Sequence, residues 1–574
     1  MTNQEIAKIL YEISAYLEMQ DVAFKPRAYE KVAEVVESLS EPLTSIHSKG
    51  GIKAIQDVPG VGISIAETIE ELIKTGHSKH YEELKKNTPV DLANLIRVEG
   101  LGPKKIKALY NKLGVRNLKD LEKSAKAGKI RKLAGFGPKS EENILKGLDF
   151  LSRSSGRFTL GAALPLVRET EDRLRGLKGV KKAQVAGSIR RWKETVGDVD
   201  ILVVSDKAEL VMDYFINMPE VGRVLAHGKT KSAITLKNGL DVDLRVLPPE
   251  SYGSALAYFT GSKAHNVALR QIAINKGYKL NEYGLFKGER QIAGKTEEEI
   301  YKKLGLDYVE PELRELTGEV EAAQEHILPN LIKRSDLRGD LQVQTNWTDG
   351  EKSIKEMASA AMKSGLEYIV ITDHTKRLAM TNGLDERRIV QQMKEIDKVN
   401  AGLKAKGLKF TILKGSECDI LKDGTMDLSD STLSKLDVVG ASVHSHFNLP
   451  REDQTKRIQK AISNPSVDIL FHPTGRLIQR REAYAVDMGA IIDSAKKTKT
   501  VLEIDAFPDR LDLKDEYIRQ CVEVGVKMSI DSDAHTDSHF SVLEYGVAQA
   551  RRGWAKRSDI INAWPVSKML KFLK

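Results

Sequence analysis

Residues 187–202 read Gly-Ser-Ile-Arg-Arg-Trp-Lys-Glu-Thr-Val-Gly-Asp-Val-Asp-Ile-Leu, a small turn followed by two aspartates on an apolar strand. Asp198 and Asp200 flank one valine, and because side chains alternate along a strand, both carboxylates face the same side. Carboxylate oxygens are ligands that suit Mg²⁺. Gly187 and Ser188 offer backbone N–H groups and a hydroxyl to phosphates. The stretch therefore predicts a magnesium-dependent site for a nucleoside triphosphate.

A second acidic strand supplies the third carboxylate that a two-metal nucleotidyl transfer needs. Residues 240–247 read Leu-Asp-Val-Asp-Leu-Arg-Val-Leu, so acidic and apolar positions alternate and Asp241 shares one face with Asp243. Together the two stretches resemble the family X DNA polymerases, of which DNA polymerase beta is the familiar member. The resemblance implies that the catalytic metal ligands are Asp198, Asp200 and Asp243.

The resemblance extends to an aromatic turn, Tyr258-Phe259-Thr260-Gly261-Ser262, and to the helix after it. In that family the turn packs against the incoming sugar and base, while an asparagine and an arginine of the helix read the minor-groove edge of the nascent pair. Taken alone, the two aromatic residues would equally suit a buried core. The resemblance implies Mg²⁺ and deoxynucleoside triphosphates as ligands. The implied nucleotide-binding residues are Gly187, Ser188, Arg191, Tyr258, Phe259, Gly261, Asn266 and Arg270.

The N-terminal third repeats a glycine hairpin three times, each copy followed by a predicted helix, over residues 64–74, 103–113 and 138–148. A tight glycine turn lets the backbone N–H groups at a helix N-terminus approach a DNA phosphate. A single copy would often be only a helix connection, but three copies resemble helix-hairpin-helix motifs. We therefore expect DNA binding without sequence specificity, through Gly60, Gly62, Gly100, Gly102, Lys104, Lys105, Gly135 and Gly137.

Charge and composition support a nucleic-acid partner. The 574-residue chain carries a net charge of +9, and residues 101–200 hold 24 lysines or arginines against 11 acidic residues. This concentration favours a polyanion such as gapped or primer-template DNA. The only cysteines, Cys418 and Cys521, cannot form a disulfide framework, so we expect a reducing, cytoplasmic location. No stretch is apolar enough to suggest a membrane span, and we expect a monomer.

Residues 24–36 also follow the family's amino-terminal domain, which in polymerase beta removes 5′-deoxyribose phosphate through a lysine imine. Alignment on the first hairpin places Thr68 at the nucleophile position and Ser64 at the supporting lysine position. A hydroxyl cannot form an imine, so no efficient lyase of this type is expected unless a nearby lysine substitutes.

Beyond a boundary near residues 330–337, apolar strand-like runs repeatedly end in residues that ligate metals. Residues 369–372 lead to His374, and residues 469–471 lead to His472. In a barrel of parallel strands the carboxyl ends converge on one face, so ligands distant in sequence meet there. Any one such histidine is more often structural, but the repetition predicts a metal cluster.

These runs resemble the carboxy-terminal polymerase-and-histidinol-phosphatase (PHP) domain of bacterial and archaeal family X enzymes, a distorted barrel with three bound metals. The resemblance implies Mn²⁺ or Zn²⁺ and phosphoesterase chemistry, chiefly 3′→5′ exonuclease, with cleavage at abasic sites and 3′ ends. Glu417 is implied to bridge two ions. The implied metal ligands are Asp349, His374, Glu417, His444, His472, Asp533 and His535.

One motif departs from the PHP pattern. The family's first motif carries a His-x-His pair, whereas this chain has Gln342 and Gln344 there. A neutral amide is a weaker ligand than imidazole for Mn²⁺ or Zn²⁺, so the site that should combine this pair with Glu417 and Asp533 is impoverished. We expect a folded metal-binding domain with weakened or altered nuclease activity.

The sequence thus predicts a multi-domain α/β and α+β protein that acts as a gap-filling DNA polymerase in repair of the base-excision type, with its own phosphoesterase. Two alternatives remain: a DNA-end phosphoesterase whose polymerase core only recruits DNA, and a non-catalytic DNA-binding scaffold. The predicted domains are a helix-hairpin-helix N-terminal domain (1–85), helix-hairpin-helix fingers (86–150), a polymerase beta-like nucleotidyltransferase palm (151–260), a thumb (261–318), a linker (319–336) and a PHP β/α barrel (337–574).

Overall fold

The structure is a computed structural model and describes residues 1, 3–39, 42–98, 100–154, 156–378 and 381–573. The chain forms two compact units, one of Met1–Ser155 with Gln479–Arg481 and one of Gly156–Ile478 with Glu482–Lys574. Every helix of the described residues is too short or too polar to span a bilayer.

The first unit is helical, and its hairpins follow the predicted pattern. Gly62 and Gly102 have extended backbone and precede helices directly, and Pro103 occupies the first helical position, where its missing N–H costs nothing. Gly76 and Gly114 end the same two helices in the left-handed conformation. The helices are Asn3–Met19, Lys25–Ser38, Leu43–Gln56, Ile63–Thr75, Lys79–Asn87, Leu92–Leu95, Pro103–Leu113, Leu118–Lys126 and Pro138–Ser154.

A five-stranded sheet opens the second unit. Helices Leu160–Arg175 and Ala208–Ile216 pack on one face of the sheet, and helix Tyr252–Thr260 packs on the other. The strands of this region are β1 (Phe158–Thr159), β2 (Val180–Val185), β3 (Thr195–Val196), β4 (Asp198–Ser205), β5 (Val221–His227), β6 (Lys231–Leu236) and β7 (Asp241–Val246). The sheet order is β2-β4-β7-β6-β5, in which only β4 and β7 are parallel neighbours, while β1 pairs separately with β3.

A small mixed region follows the sheet. An antiparallel sheet is formed by β8 (Lys279–Asn281), β9 (Gly284–Lys287) and β10 (Arg290–Ala293). Its helices are Lys263–Asn275, Glu297–Leu304 and Glu319–Gln324.

The rest of the second unit is a parallel barrel. Its strands, which are neighbours in chain order, are β11 (Gly339–Val343), β12 (Tyr368–Ile371), β13 (Thr411–Asp419), β14 (Val438–Ser442), β15 (Ile469–Leu470), β16 (Val501–Asp505) and β17 (Met528–Asp531). Backbone hydrogen bonds between Gln344 and Ala534 (2.8 Å), and between Ala534 and Gln342 (3.3 Å), bring its last strand back to its first. The barrel helices are Ile354–Lys363, Glu386–Ala405, Asp430–Leu433, Arg451–Ile462, Met488–Thr498, Asp515–Val524, Leu543–Arg552 and Val566–Leu573.

The barrel shares an apolar core with the five-stranded sheet. Ile478, Leu511 and Tyr545 of the barrel pack into the same buried cluster as the inner face of the sheet. A Cβ atom at Gly161 would lie 2.4 Å from Pro508, so only glycine permits this close approach. The second unit is therefore continuous across the predicted linker.

Candidate active sites

The parallel pair of strands β4 and β7 brings the predicted carboxylates together. Asp198 pairs in register with Asp241, and Asp200 pairs with Asp243. Burial, followed by the charges of Asp198 and Asp243, raises the pKa of Asp200 to about 6. This mutual repulsion is what a bound divalent cation would relieve, so the carboxylate set fits Mg²⁺. Lys231 Nζ lies 3.1 Å from the Asp243 carboxylate and supplies one positive charge there.

The turn before these strands is a single helical turn, Gly187–Arg190, set against the carboxylates. Gly187 has a positive φ of 72°, and a Cβ atom there would lie 3.4 Å from Asp200 Oδ2. The turn predicted to bind phosphate thus lies directly beside the predicted metal ligands.

The two arginines of this turn have different surroundings. Arg190 is held by both carboxylate oxygens of Glu297, at 2.7 and 3.0 Å, and is mostly buried. Arg191 donates to Glu315 at 2.9 Å and to the carbonyl of Thr260. Arg190 is therefore structural, while Arg191 lies between the turn and the aromatic segment, and its binding of triphosphate stays a prediction.

The aromatic segment divides into a packed residue and an open one. Phe259 lies under the Arg245 guanidinium, 4.6 Å from its centre, whereas Tyr258 is 38% exposed. Asn266 Nδ2 donates to the Tyr258 carbonyl at 2.7 Å, which fixes the start of the helix that also carries Arg270. Phe259 is thus partly buried and Tyr258 is open to solvent, and the binding of nucleotide by both stays a prediction.

The three hairpins of the first unit share one backbone geometry. Gly60, Gly100 and Gly135 have φ values of 80°, 80° and 82°. A Cβ atom at Gly62, Gly102 or Gly137 would meet none of the described atoms within 4 Å, so the approach to each helix start is open. Lys105 Nζ donates to the Gly100 carbonyl at 2.8 Å and lies beside the second turn.

The predicted lyase position is closed. Thr68 is 6% exposed, and its hydroxyl donates to the Ser64 carbonyl at 3.0 Å.

Two groups of potential metal ligands meet at the carboxyl end of the barrel strands. In the first, Asp349, His374 and His535 have ligand atoms within 4.8 Å of one another. In the second, His374, Glu417 and His444 satisfy the same limit. Burial opposes ionisation of Asp349, but hydrogen bonds and charge from His374 and His535 hold the pKa of its carboxyl well below the usual range. Both groups therefore fit a divalent cation.

Glu417 lies at the centre of the barrel site. Its Oε1 is 3.0 Å from His444 Nε2 and 2.8 Å from His472 Nε2, and it accepts from the Ser442 hydroxyl at 2.7 Å. Its Oε2 is 3.4 Å from His374 Nδ1. One carboxylate thus faces all three histidines, which is the position predicted for a bridging ligand.

The third predicted metal position has a different character. Gln344 Nε2 donates to Glu417 Oε2 at 2.9 Å. Arg510 Nε lies 3.3 Å from Asp505 Oδ2 and 3.9 Å from Asp533 Oδ2. Hydrogen-bond donors therefore face the carboxylates at this position, and it has fewer metal ligands than the two histidine groups.

Contacts within the second unit tie the barrel to the nucleotide turn. Arg552 donates to the Arg191 carbonyl at 2.8 Å and lies 3.4 Å from Glu315. Arg168, in helix Leu160–Arg175 beside the sheet, forms a bidentate ion pair with Glu544 of the barrel at 2.7 and 3.0 Å.

Comparisons with known proteins identify the family. Over its full length the chain is 38% identical to the DNA polymerase/3′-5′ exonuclease PolX of Bacillus subtilis (strain 168), and it covers all of that protein. The chain belongs to the family X DNA polymerases. It is 26% identical to DNA polymerase lambda of Rattus norvegicus over 54% of this chain and 56% of that protein. It is 29% identical to a probable phosphatase of Thermoanaerobacter sp. (strain X514), over 39% of this chain and 88% of that protein.

Four family profiles match segments of this family X chain. A helix-hairpin-helix domain matches residues 1–78, a SAM-like helix-hairpin-helix tandem 92–149, a DNA polymerase beta thumb 255–315 and a PHP domain 340–556. The predicted fold class is confirmed: helix-hairpin-helix domains, a polymerase beta-like core and a nearly closed PHP barrel.

Sequence reasoning missed several residues of this family X site. Asp505 is the last residue of strand β16 and Arg510 lies five residues beyond it, so the rule that barrel ligands lie at strand ends could have found Asp505. Arg552, in contrast, ends a helix far along the chain from Arg191, and no local pattern indicates that contact. Asp533, predicted as a metal ligand, lies beside Arg510 and falls outside both ligand groups found among the described residues.

Proposed function

We propose that this protein is a DNA-directed DNA polymerase that fills short gaps during repair, and that its PHP barrel is a metal-dependent phosphoesterase acting on DNA 3′ ends. The observation that carries the proposal is the register of β4 and β7, which sets Asp200 beside Asp243 with Asp198 on the same face. The similarity over the full length to a protein named for both activities supports it.

In the polymerase site, Asp198, Asp200 and Asp243 would hold Mg²⁺. Bound Mg²⁺ supplies the positive charge that activates a primer 3′-hydroxyl and offsets the charge of the triphosphate. Lys231, which lies beside Asp243, offsets the carboxylate charge when the site holds no ion.

The surrounding residues position the nucleotide. Gly187 and Ser188 offer an N–H group and a hydroxyl to phosphate oxygens, and Arg191 adds a cationic donor. Tyr258 is exposed and can contact the sugar and base. A Cβ atom at Gly261 would lie 3.1 Å from Arg191 Nη1, so glycine at this position leaves room for the Arg191 side chain. Asn266 and Arg270 would contact the minor-groove edge of the new pair.

In the barrel, Asp349, His374 and His535 would hold one ion, and Glu417, His444 and His472 would hold another, Mn²⁺ or Zn²⁺. The bound ions supply the charge that activates water and stabilises the phosphoester transition state. The Ser442 hydroxyl donates a hydrogen bond to Glu417 and fixes the orientation of its carboxylate relative to the histidines.

DNA would be held through the three hairpins, whose open helix starts suit phosphate groups irrespective of base sequence. Lys104 and Lys105 add charge beside the second turn. The proposed partners are therefore gapped or primer-template DNA and deoxynucleoside triphosphates.

A labelled primer in a one-nucleotide gap tests both activities. Asp243→Asn should abolish extension with nucleotides. Asp241→Asn is the matched control, because Asp241 lies in the same strand and accepts a hydrogen bond from the Thr235 hydroxyl at 2.6 Å. His444→Ala should abolish shortening in Mn²⁺ without nucleotides. His446→Asn is its control, because His446 is an exposed histidine two residues along the chain and belongs to neither ligand group. Absence of extension by the unaltered protein would contradict the polymerase and favour a scaffold, and extension that survives Asp243→Asn would contradict the proposed metal site.

A further inference from the structure

The carboxyl end of the barrel strands has two halves, and different basic side chains face the carboxylates in each half. One half contains the histidines that face Glu417 and Asp349. The other half contains Gln342, Gln344, Asp505 at the end of β16 and Asp533 after β17, and its cation is Arg510. This difference decides where ions can bind.

Two buried carboxylates lie beside the arginine in the arginine half. Asp505 is fully buried, and Asp533 is nearly so. Burial of ionised carboxylates is costly unless a positive charge or hydrogen bonds compensate. Arg510 lies within 3.9 Å of both side chains, and the Phe507 N–H donates to Asp505 at 2.7 Å. The protein therefore places a positive charge of its own chain next to both carboxylates.

The donors of this half also oppose a metal ion directly. A guanidinium stays charged at all ordinary pH values and has no lone pair to offer, so it repels a divalent cation and cannot ligate it. The Gln344 amide donates at 2.9 Å to Glu417 Oε2, the oxygen that also lies 3.4 Å from His374 Nδ1. An imidazole at position 344 would instead offer a nitrogen lone pair there.

We propose that the Arg510 guanidinium, with the Gln344 amide, takes the place of a third metal ion, so that the barrel binds two ions. This inference rests on the metal-dependent phosphoesterase proposed above and deepens it. The two ions occupy the histidine half, and Arg510 contributes a fixed positive charge on the other side of Glu417.

The side chain of Gln342 defines the competing outcome. Both of its amide atoms are buried and lack a hydrogen-bond partner among the described residues. Its oxygen is a ligand type that Mn²⁺ accepts. A third ion held by this oxygen together with Asp533 is therefore what the experiment must detect or exclude.

Metal content provides a test that does not depend on activity. The full chain is prepared with Asp200→Asn and Asp243→Asn, so that the polymerase site does not contribute, and is equilibrated with Mn²⁺ before elemental analysis. We expect two ions per chain, and fewer after His444→Ala. We expect three ions when Gln342→His, Gln344→His and Arg510→Met are combined, because ligands are added and the competing charge is removed.

The controls separate the two proposals. Arg510→Lys retains the charge and should keep two ions, and thermal melts with and without Mn²⁺ show that each variant folds. Three ions in the Asp200→Asn and Asp243→Asn chain would overturn this inference while leaving the phosphoesterase proposal intact. No bound ion, in a folded protein, would overturn both. A combined variant that is folded and still holds two ions would show that Arg510 and Gln344 are not what excludes the third.

Discussion

Arg552 of the barrel donates a hydrogen bond at 2.8 Å to the backbone carbonyl of Arg191 in the nucleotide turn. Glu315 lies between the two side chains, 2.9 Å from Arg191 and 3.4 Å from Arg552. Arg191, which is predicted to bind the triphosphate, is thus held in place by Arg552 of the barrel. The barrel therefore carries a candidate active site of its own and also contributes a contact to the polymerase site.

Arg552→Ala should weaken nucleotide binding by the polymerase. A hydrogen bond from a charged group is worth about 1.5–3 kcal/mol, so we expect KM for the nucleotide to rise roughly tenfold, with a smaller change in kcat. Steady-state gap filling measures both constants. Arg168→Ala is the comparison variant, because it removes the Glu544 ion pair between the same domains and a contact with the Trp192 ring but keeps the hydrogen bond from Arg552 to Arg191. Equal effects of both substitutions would mean that only domain contact matters.

Glu297 should make stability depend on pH in the acid range. Burial raises the pKa of its carboxyl, but Arg314 and Arg190 outweigh that effect and lower the pKa to about 2. Because the pKa is depressed, ionised Glu297 stabilises the fold at pH values above about 4.3, the pKa of a glutamate in the unfolded chain. This stabilisation is lost as the pH falls toward 2. Glu297→Gln should therefore lower Tm at pH 6 and flatten its decline between about pH 4.3 and 2. The exposed neighbour Glu298 serves as control through Glu298→Gln, which should change neither quantity.

Lys104→Ala should weaken DNA binding to the same extent for different base sequences. If the side chain neutralises one phosphate, the slope of log K against log salt should fall by about 0.9. Binding isotherms across a salt series measure this slope. Lys112→Ala, at the far end of the same helix, should leave it unchanged, and an equal loss from both variants would place the DNA elsewhere.

Chelation should destabilise the barrel. Ions that bind only the folded state stabilise it according to their concentration relative to Kd. We expect addition of Mn²⁺ to metal-free protein to raise Tm by several degrees, and His444→Ala to reduce that rise by removing a ligand of one of the two proposed ions. An unchanged rise in His444→Ala would show that the ion proposed for Glu417, His444 and His472 does not stabilise the barrel.

Much of both sites could be predicted because their signals are local. Alternation placed Asp198 and Asp200 on one face, and strand ends predicted His374 and His472 at one end of the barrel. Positive φ at Gly60, with its two counterparts, follows from the same tight turn. These inferences needed only the period of a strand or the length of a turn.

The remaining features depend on contacts between distant parts of the chain. Glu315 lies beside Arg191 across more than a hundred residues, and Arg552 comes from still farther away. The charge that faces Asp533 comes from Arg510, whose role depends on how the barrel closes. Spacing along the sequence carries no information about such pairings.

The shared core of barrel and sheet bears on how the two domains can evolve. Leu511 lies one residue beyond Arg510 and packs with the polymerase sheet, and Pro508 of the same loop touches Gly161. A gene truncated before the barrel would encode a polymerase with a newly exposed apolar surface, which favours aggregation. Loss of a metal site in a lineage is therefore easier by point substitution at its ligands than by deletion of the domain.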